Sequence, residues 1–220
     1  MKKTFILLVS LCLTAIGTAQ QKKHFEAEVE AIKNYEKIYA APENPIVFTG
    51  SSSIRKWNHL QVAFGPYNVI NRGVGGAVTD DITFHVNDLI FKYNPRQIVL
   101  YVGENDLVNE NNTAEIILNK TVALYNAIRT KMPEVPIVYI SMKPSPSREK
   151  HQQKCKAANE LIRKFLATQK NAKYLDVFTP MLKDGKTRPE LFVEDMLHLN
   201  AKGYDLWEKL IAPYLLKQTK

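Results

Sequence analysis

Residues 97–106 read QIVLYVGEND, and the fold turns on how they are understood. Ile98 to Val102 is an unbroken apolar run with no polar alternation. A strand with that pattern needs both faces covered, which is the situation of a parallel sheet with helices above and below it. Gly103 stops the run, and three polar residues, Glu104, Asn105 and Asp106, follow at once. The run therefore asks for parallel neighbours, and for helices long enough to cross back between them.

Both are present in the pattern. Ile46–Thr49, Asn68–Asn71, Pro136–Ser141 and Ala172–Val177 read as four further short strands. Helical spacing predicts a helix over 24–40, with Phe25, Val29, Ile32 and Tyr35 or Ile38 on one side, ended by Pro42 and Pro45. It predicts a second over 79–93, capped by Thr79 and apolar at Ile82, Val86, Leu89 and Ile90. Others follow over 113–130, 147–169 and 201–217, the last carrying Trp207, Leu210, Ile211 and Leu215. Strand and helix alternate throughout, which implies right-handed crossovers. The expected fold is α/β: a three-layer α/β/α, flavodoxin-like arrangement around a five-stranded parallel sheet. Ligands in such sheets bind beyond the carboxyl ends of the strands.

The amino terminus reads differently. Lys2 and Lys3 precede a mostly apolar run from Phe5 to Ile16, and Gly17-Thr18-Ala19 supplies small residues for a cut. This is the pattern of a secretory signal peptide over residues 1–19, cleaved near Ala19. The run is shorter than the ~20 residues a spanning helix needs. The expectation is an exported protein, periplasmic or secreted, with no stable membrane insertion after cleavage and one domain over 20–220. Cleavage removes two lysines and no acid, taking the net charge from +8 to +6. The remaining basic residues are scattered, and no nucleic-acid-binding motif accompanies them. Cys12 leaves with the leader, so Cys155 alone cannot form an intramolecular disulfide. Cys155 sits in a helical pattern with His151 at i−4 and reads as an inert, buried thiol rather than a nucleophile.

The chemistry gathers at the strand ends. The first strand runs into Gly50-Ser51-Ser52-Ser53, the second into Asn71-Arg72-Gly73-Val74-Gly75-Gly76, and the third into Gly103-Glu104-Asn105-Asp106. Asp195-Met196-Leu197-His198 follows the fifth. A serine hydroxyl is a weak nucleophile until a base takes its proton, and histidine is the usual base near neutral pH. A carboxylate on the other ring nitrogen fixes the tautomer. Acyl transfer also needs donors for the oxyanion, a task suited to a glycine amide and an asparagine side chain. Each segment alone has a plainer reading, since Gly-Ser-Ser is commonly a helix cap and glycine-rich turns often serve backbone geometry. GVGGAV does not fit G-x-G-x-x-G because Val78 occupies the last position, which disfavours a dinucleotide site.

Taken in order, these segments resemble the SGNH (GDSL-type) serine hydrolase superfamily. FTGSSSIRKW matches the serine block, NRGVGGAV the glycine block, VGENDL the asparagine block and DMLHLN the last block. The resemblance implies the SGNH hydrolase fold and a carboxylic ester hydrolase needing no metal or cofactor. It implies a triad of Ser52, Asp195 and His198, and an oxyanion hole from the amides of Ser52 and Gly76 and the side chain of Asn105. Ser51 stands where the family's name has Asp, which leaves Ser51 and Ser53 as rival nucleophiles, Ser52 being favoured by its spacing from Gly50.

The subgroup with Gly-Ser-Ser-Ser resembles platelet-activating-factor acetylhydrolase-like and carbohydrate esterase-like proteins. With short loops and no lid-like insertion, the expected substrate is a small-molecule or glycan acyl ester, above all an acetyl ester on a carbohydrate. A lysophospholipase or thioesterase acting on longer acyl chains is the alternative, and a non-catalytic glycan-binding protein a lower one. Trp57 and Arg72 are candidate pocket residues or packing residues. Lys143 and Arg148 are candidate contacts for an anionic substrate, or else part of a proline-rich loop and helix start.

Overall fold

A computed structural model describes residues 25–217. The proposed leader, residues 1–19, lies outside them. The chain divides into two compact units at Ala40/Ala41. In the first unit, residues 25–38 form helix α1, which ends two residues before the expected Ala40, while the expected start at His24 lies outside the described residues.

The second unit holds the sheet. Its strands are β1 (Ile46–Gly50), β2 (Val69–Gly73), β3 (Gln97–Tyr101), β4 (Ile137–Ile140) and β5 (Ala172–Leu175). All neighbours pair in parallel, in the order β2-β1-β3-β4-β5. That is the flavodoxin-like order, in which the topological switch point lies between β1 and β3. The helices are α2 (Ser52–Arg55), α3 (Leu60–Ala63), α4 (Thr79–Phe84), α5 (Val86–Leu89), α6 (Ala114–Lys131), α7 (Gln152–Ala167) and α8 (Ala201–Ile211). A two-residue ribbon, β6 (Leu182–Lys183) with β7 (Lys186–Thr187), follows β5.

Alternation along the strands sorts the core into two layers. Ile46 and Phe48 of β1, Val99 and Tyr101 of β3, and Val138 and Ile140 of β4 share one cluster with Tyr204, Trp207 and Ile211 of α8. Val47 and Ile70 point the other way and cluster with Tyr93. Helices α4, α6 and α7 pack side by side, and Tyr139 of β4 reaches Thr121 of α6.

Three expected helices are broken or shortened. The run expected over 79–93 breaks at His85 into α4 and α5, and a 3-10 turn covers Phe91–Tyr93. Its sequence, TDDITFHVND, has few strong helix formers. The apolar residues Ile82, Val86, Leu89 and Ile90 are buried all the same, so packing outlasts the helix. The amino-terminal cap also differs from expectation. The Asp81 carboxylate accepts the Val78 amide at 2.9 Å, while Thr79 turns its hydroxyl to Asp106. The last helix stops at Ile211 because Pro213 cannot continue it, and Ala212–Tyr214 is a 3-10 turn. The long helix expected from 147 begins as a 3-10 turn over Pro146–His151 and becomes α7 at Gln152.

Candidate active site

The site is built at the switch point, where β1 hands the chain to α2. Gly50 has φ +136°, and a Cβ there would lie 1.8 Å from the Tyr101 carbonyl oxygen of β3. Only glycine allows β1 to turn this close to its neighbour. Ser51 then sits ahead of α2 with its amide on the Tyr101 carbonyl, and Ser52 opens the helix. The first amides of a helix have no intrahelical partner, so the Ser52 N–H is not used within α2. Ser51 and Ser53 are both 2% exposed and Ser52 is half-buried, which separates the three serines.

The Ser52 hydroxyl meets His198. Nε2 of His198 lies 2.9 Å from Ser52 Oγ, and Nδ1 lies 2.5 Å from Asp195 Oδ2. A carboxylate only accepts, so Nδ1 carries the hydrogen and Nε2 is left as a base towards the hydroxyl. The other Asp195 oxygen accepts the amides of Leu197 at 2.9 Å and His198 at 2.8 Å. Burial pushes the Asp195 carboxyl up, but the hydrogen bonds from the His198 ring and these two amides outweigh it. The group is held well below the usual carboxylate range. Lys56 places its ammonium 3.2 Å from His198 Nδ1, on the carboxylate side of the ring.

The turn carrying the pair is locked from both ends. Phe192 and Leu199 form an antiparallel bridge, the Val193 amide donates to the His198 carbonyl, and Met196 takes φ +53° between acid and base. Asn200 then caps α8 by accepting the Gly203 amide, while its own amide donates to the Glu190 and Phe192 carbonyls.

The glycine turn and Asn105 adjoin this pair. The Val74 amide donates to the Gly50 carbonyl, which brings the turn after β2 against the start of the serine segment. Gly76 lies in that turn with φ +79°. Asn105 donates from Nδ2 to the Ala77 carbonyl at 2.9 Å, so its amide lies alongside the glycine turn. Asp106 fastens the same junction: its buried carboxylate accepts the Thr79 amide and hydroxyl at 2.9 and 3.0 Å. Thus Ser52, Gly76, Asn105, Asp195 and His198 occupy adjoining loops at one sheet edge. Together they form a hydroxyl–imidazole–carboxylate chain beside candidate oxyanion donors, an arrangement suited to acyl transfer.

Four expected pocket residues do other work. Trp57 is 1% exposed and packs its ring against Phe48, Phe64, Tyr204 and Trp207, so it is core. Arg72 lies along β2, is buried, donates to the Tyr93 hydroxyl at 2.5 Å and lies over its ring. Lys143 has no exposed side-chain surface and pairs with Glu104 at 2.6 Å. Arg148 spends its guanidinium on the Glu104 carbonyl and the Asn105 side chain, both at 2.8 Å.

The sequence reading did not single out Glu104 and Ser145. The Glu104 carboxylate receives Lys143, the Ser145 hydroxyl at 2.5 Å and the Tyr101 hydroxyl. Burial alone would raise its pKa, but the charges of Lys143 and Arg148 and the hydrogen bonds from Lys143 and Ser145 outweigh burial and lower it. The available signal was one of register. Glu104 follows β3 and Lys143 follows β4, so adjacent parallel strands bring opposite charges to equivalent positions. Cys155 is buried beside the Met142 and Lys143 carbonyls, and burial pushes its thiol up, away from the reactive thiolate.

The profile of the GDSL-like lipase/acylhydrolase family matches residues 36–206, which takes in every segment just described. The chain belongs to that family. This GDSL-type chain is 28% identical over 171 residues to subunit alpha1 of human platelet-activating factor acetylhydrolase IB, covering 74% of this chain and 71% of the relative. A GDSL-like lipase from Bacteroides thetaiotaomicron superposes with a TM-score of 0.73 at 19% identity, covering 86% and 97% of the two chains. A carbohydrate esterase of family 3 from Talaromyces cellulolyticus superposes at 0.63 with 16% identity, covering 77% and 95%. Both superpositions support the same α/β fold. As a GDSL acylhydrolase, the protein is an ester-cleaving hydrolase.

Proposed function

We propose that this acylhydrolase removes small acyl groups, acetyl above all, from a carbohydrate ester, with Ser52 as nucleophile. The observation that carries the reading is the continuous hydrogen-bonded chain from Ser52 through His198 to Asp195. His198 takes the Ser52 proton as Oγ attacks the ester carbonyl. The oxyanion is stabilised by the amides of Ser52 and Gly76 and by the Asn105 side chain. His198 then gives the proton to the departing alkoxide. Water, deprotonated by the same ring, frees the acid and restores Ser52.

Acetyl and carbohydrate are supported by two relatives, one named an acetylhydrolase and the other a carbohydrate esterase. An accessible site agrees with them, since the Asp195 side chain is 44% exposed. A second reading, longer acyl chains, has one observation in its favour: Val193 and Met196 beside the acid–base pair are exposed apolar side chains. Export rests on the basic, apolar and small-residue pattern of residues 1–19, and amino-terminal sequencing of the mature protein tests it.

The deciding experiment is hydrolysis of nitrophenyl esters from acetyl to long-chain acyl by the wild type and Ser52→Ala. The expected result is a maximum at acetyl that vanishes in the variant. Activity rising with chain length would move the substrate to lipids, and equal activity in both proteins would remove Ser52 from the mechanism. Acetylated sugars are the next substrates after an acetyl maximum.

A further inference from the structure

We propose that Arg148 is a positioning residue that fixes which way the Asn105 amide points. The inference rests on the reading of Asn105 as an oxyanion donor. A side-chain amide has two nearly isosteric ends, one that donates and one that accepts. Only the donating end stabilises an oxyanion, and a half-turn would aim the carbonyl oxygen at the developing negative charge.

The surroundings of Asn105 remove that ambiguity. A guanidinium donates and cannot accept, and Nη2 of Arg148 lies 2.8 Å from Oδ1. The Ala77 carbonyl accepts and cannot donate, and it lies 2.9 Å from Nδ2. Donor-only and acceptor-only partners on opposite ends permit one orientation. They leave the second Nδ2 hydrogen for the substrate.

Arg148 is itself held. Nη1 donates to the Glu104 carbonyl at 2.8 Å and lies 3.6 Å from its carboxylate. The planar fork therefore spans two consecutive residues of the loop after β3, a task that the point charge of lysine cannot reproduce. Its side chain is 16% exposed, and the Arg148 amide donates to the Ser145 carbonyl. One residue earlier, the amide and hydroxyl of Ser147 both donate to the Met196 carbonyl, in the turn between Asp195 and His198. The segment from Ser145 to Arg148 thus ties the Asn105 loop to the acid–base turn.

The test is a double-mutant cycle on nitrophenyl acetate, using wild type, Arg148→Met, Asn105→Ala and the double variant, with Arg148→Lys beside them. Losing an oxyanion donor costs about a hundred- to a thousand-fold in rate, and a misdirected donor is expected to cost about ten- to a hundred-fold. Arg148→Met should therefore lower kcat by about that much while KM moves less than about twofold. Arg148→Lys should fall between it and wild type, and carries the test if Arg148→Met does not fold. In the Asn105→Ala background, Arg148→Met should cost nothing further.

Wild-type kcat in Arg148→Met, a loss confined to KM, or losses that multiply in the double variant would each overturn the proposal. Asn105→Ala at wild-type kcat would overturn the oxyanion reading itself and this inference with it. A reduced kcat in Asn105→Ala with full activity in Arg148→Met would overturn the inference alone.

Discussion

Two acid–base contacts of nearly equal length stand at the same sheet edge: Asp195 with His198 at 2.5 Å, and Glu104 with Lys143 at 2.6 Å. They differ in burial and in reach along the chain. The Asp195 side chain is 44% exposed, whereas Glu104 and Lys143 expose 4% and none. Asp195 and His198 lie in one turn, three residues apart, whereas Glu104 and Lys143 join loops thirty-nine residues apart. A contact open to water can gain and lose a proton during turnover without stranding a charge. A contact sealed from water cannot, because a lone buried charge is costly. The open pair is therefore fitted to chemistry and the sealed pair to holding loops in place.

The largest expected effects test the open pair. His198→Ala should lower kcat by about 10⁶-fold and Asp195→Asn by about 10⁴-fold, with the urea midpoint nearly unchanged in both. Stopped-assay kinetics and urea titration on the same preparations check this. A large fall in the midpoint of His198→Ala would show that the open pair also holds the fold and would break the division of labour.

Much of this arrangement was legible in the sequence. Ile98 to Val102 is buried on both faces because the run is apolar throughout, and β3 is central in the sheet. The loops carrying Ser52, Gly76 and Asn105 had to share one edge once the strands were parallel. Reach was less legible. Lys143 reads as a contact for an anionic substrate or as part of a proline-rich loop until the pairing of β3 with β4 places Glu104 opposite it. Arg148 finds Asn105 forty-three residues away, a contact that no local pattern encodes. Trp57 reads equally as a pocket or a packing residue, and the turn after α2 settles the matter by setting its ring inward against Tyr204 and Trp207 of α8. Contacts within one turn show in spacing, whereas contacts between loops appear only after the sheet order is known.

The sealed pair should fail in stability. Lys143→Met leaves the Glu104 carboxylate buried without its main counter-charge and should cost about 3–5 kcal/mol of unfolding free energy by urea titration. Lys143→Met with Glu104→Gln removes both charges and should be less destabilised than the single variant. If the double variant is worse than Lys143→Met, the cost lies in lost hydrogen bonds to Tyr101 and Ser145 rather than in the stranded charge.

Acid sharpens the contrast further. The Glu104 pKa is lowered in the folded protein, so its contribution is complete above the ordinary glutamate value of about 4.3 and is lost as the pH falls through the folded value. Asp195 is shifted in the same direction, but its exposure to solvent weakens the link to stability. Unfolding free energy measured from pH 6 to pH 3 should fall below about pH 4, with a slope of at most about 1.4 kcal/mol per pH unit for each such group. Glu104→Gln should flatten that fall more than Asp195→Asn. The reverse order would mean that the exposed carboxylate carries the acid sensitivity.

The smallest effect belongs to a pair that burial leaves alone. Lys150 and Glu110 approach to 3.3 Å with side chains 73% and 72% exposed. Water screens both charges and the long side chains lose freedom in meeting, so the two effects nearly cancel. Lys150→Ala should leave the urea midpoint within experimental error of wild type. A drop approaching that of Lys143→Met would show that proximity alone governs these contacts and that open and sealed pairs do not differ in kind.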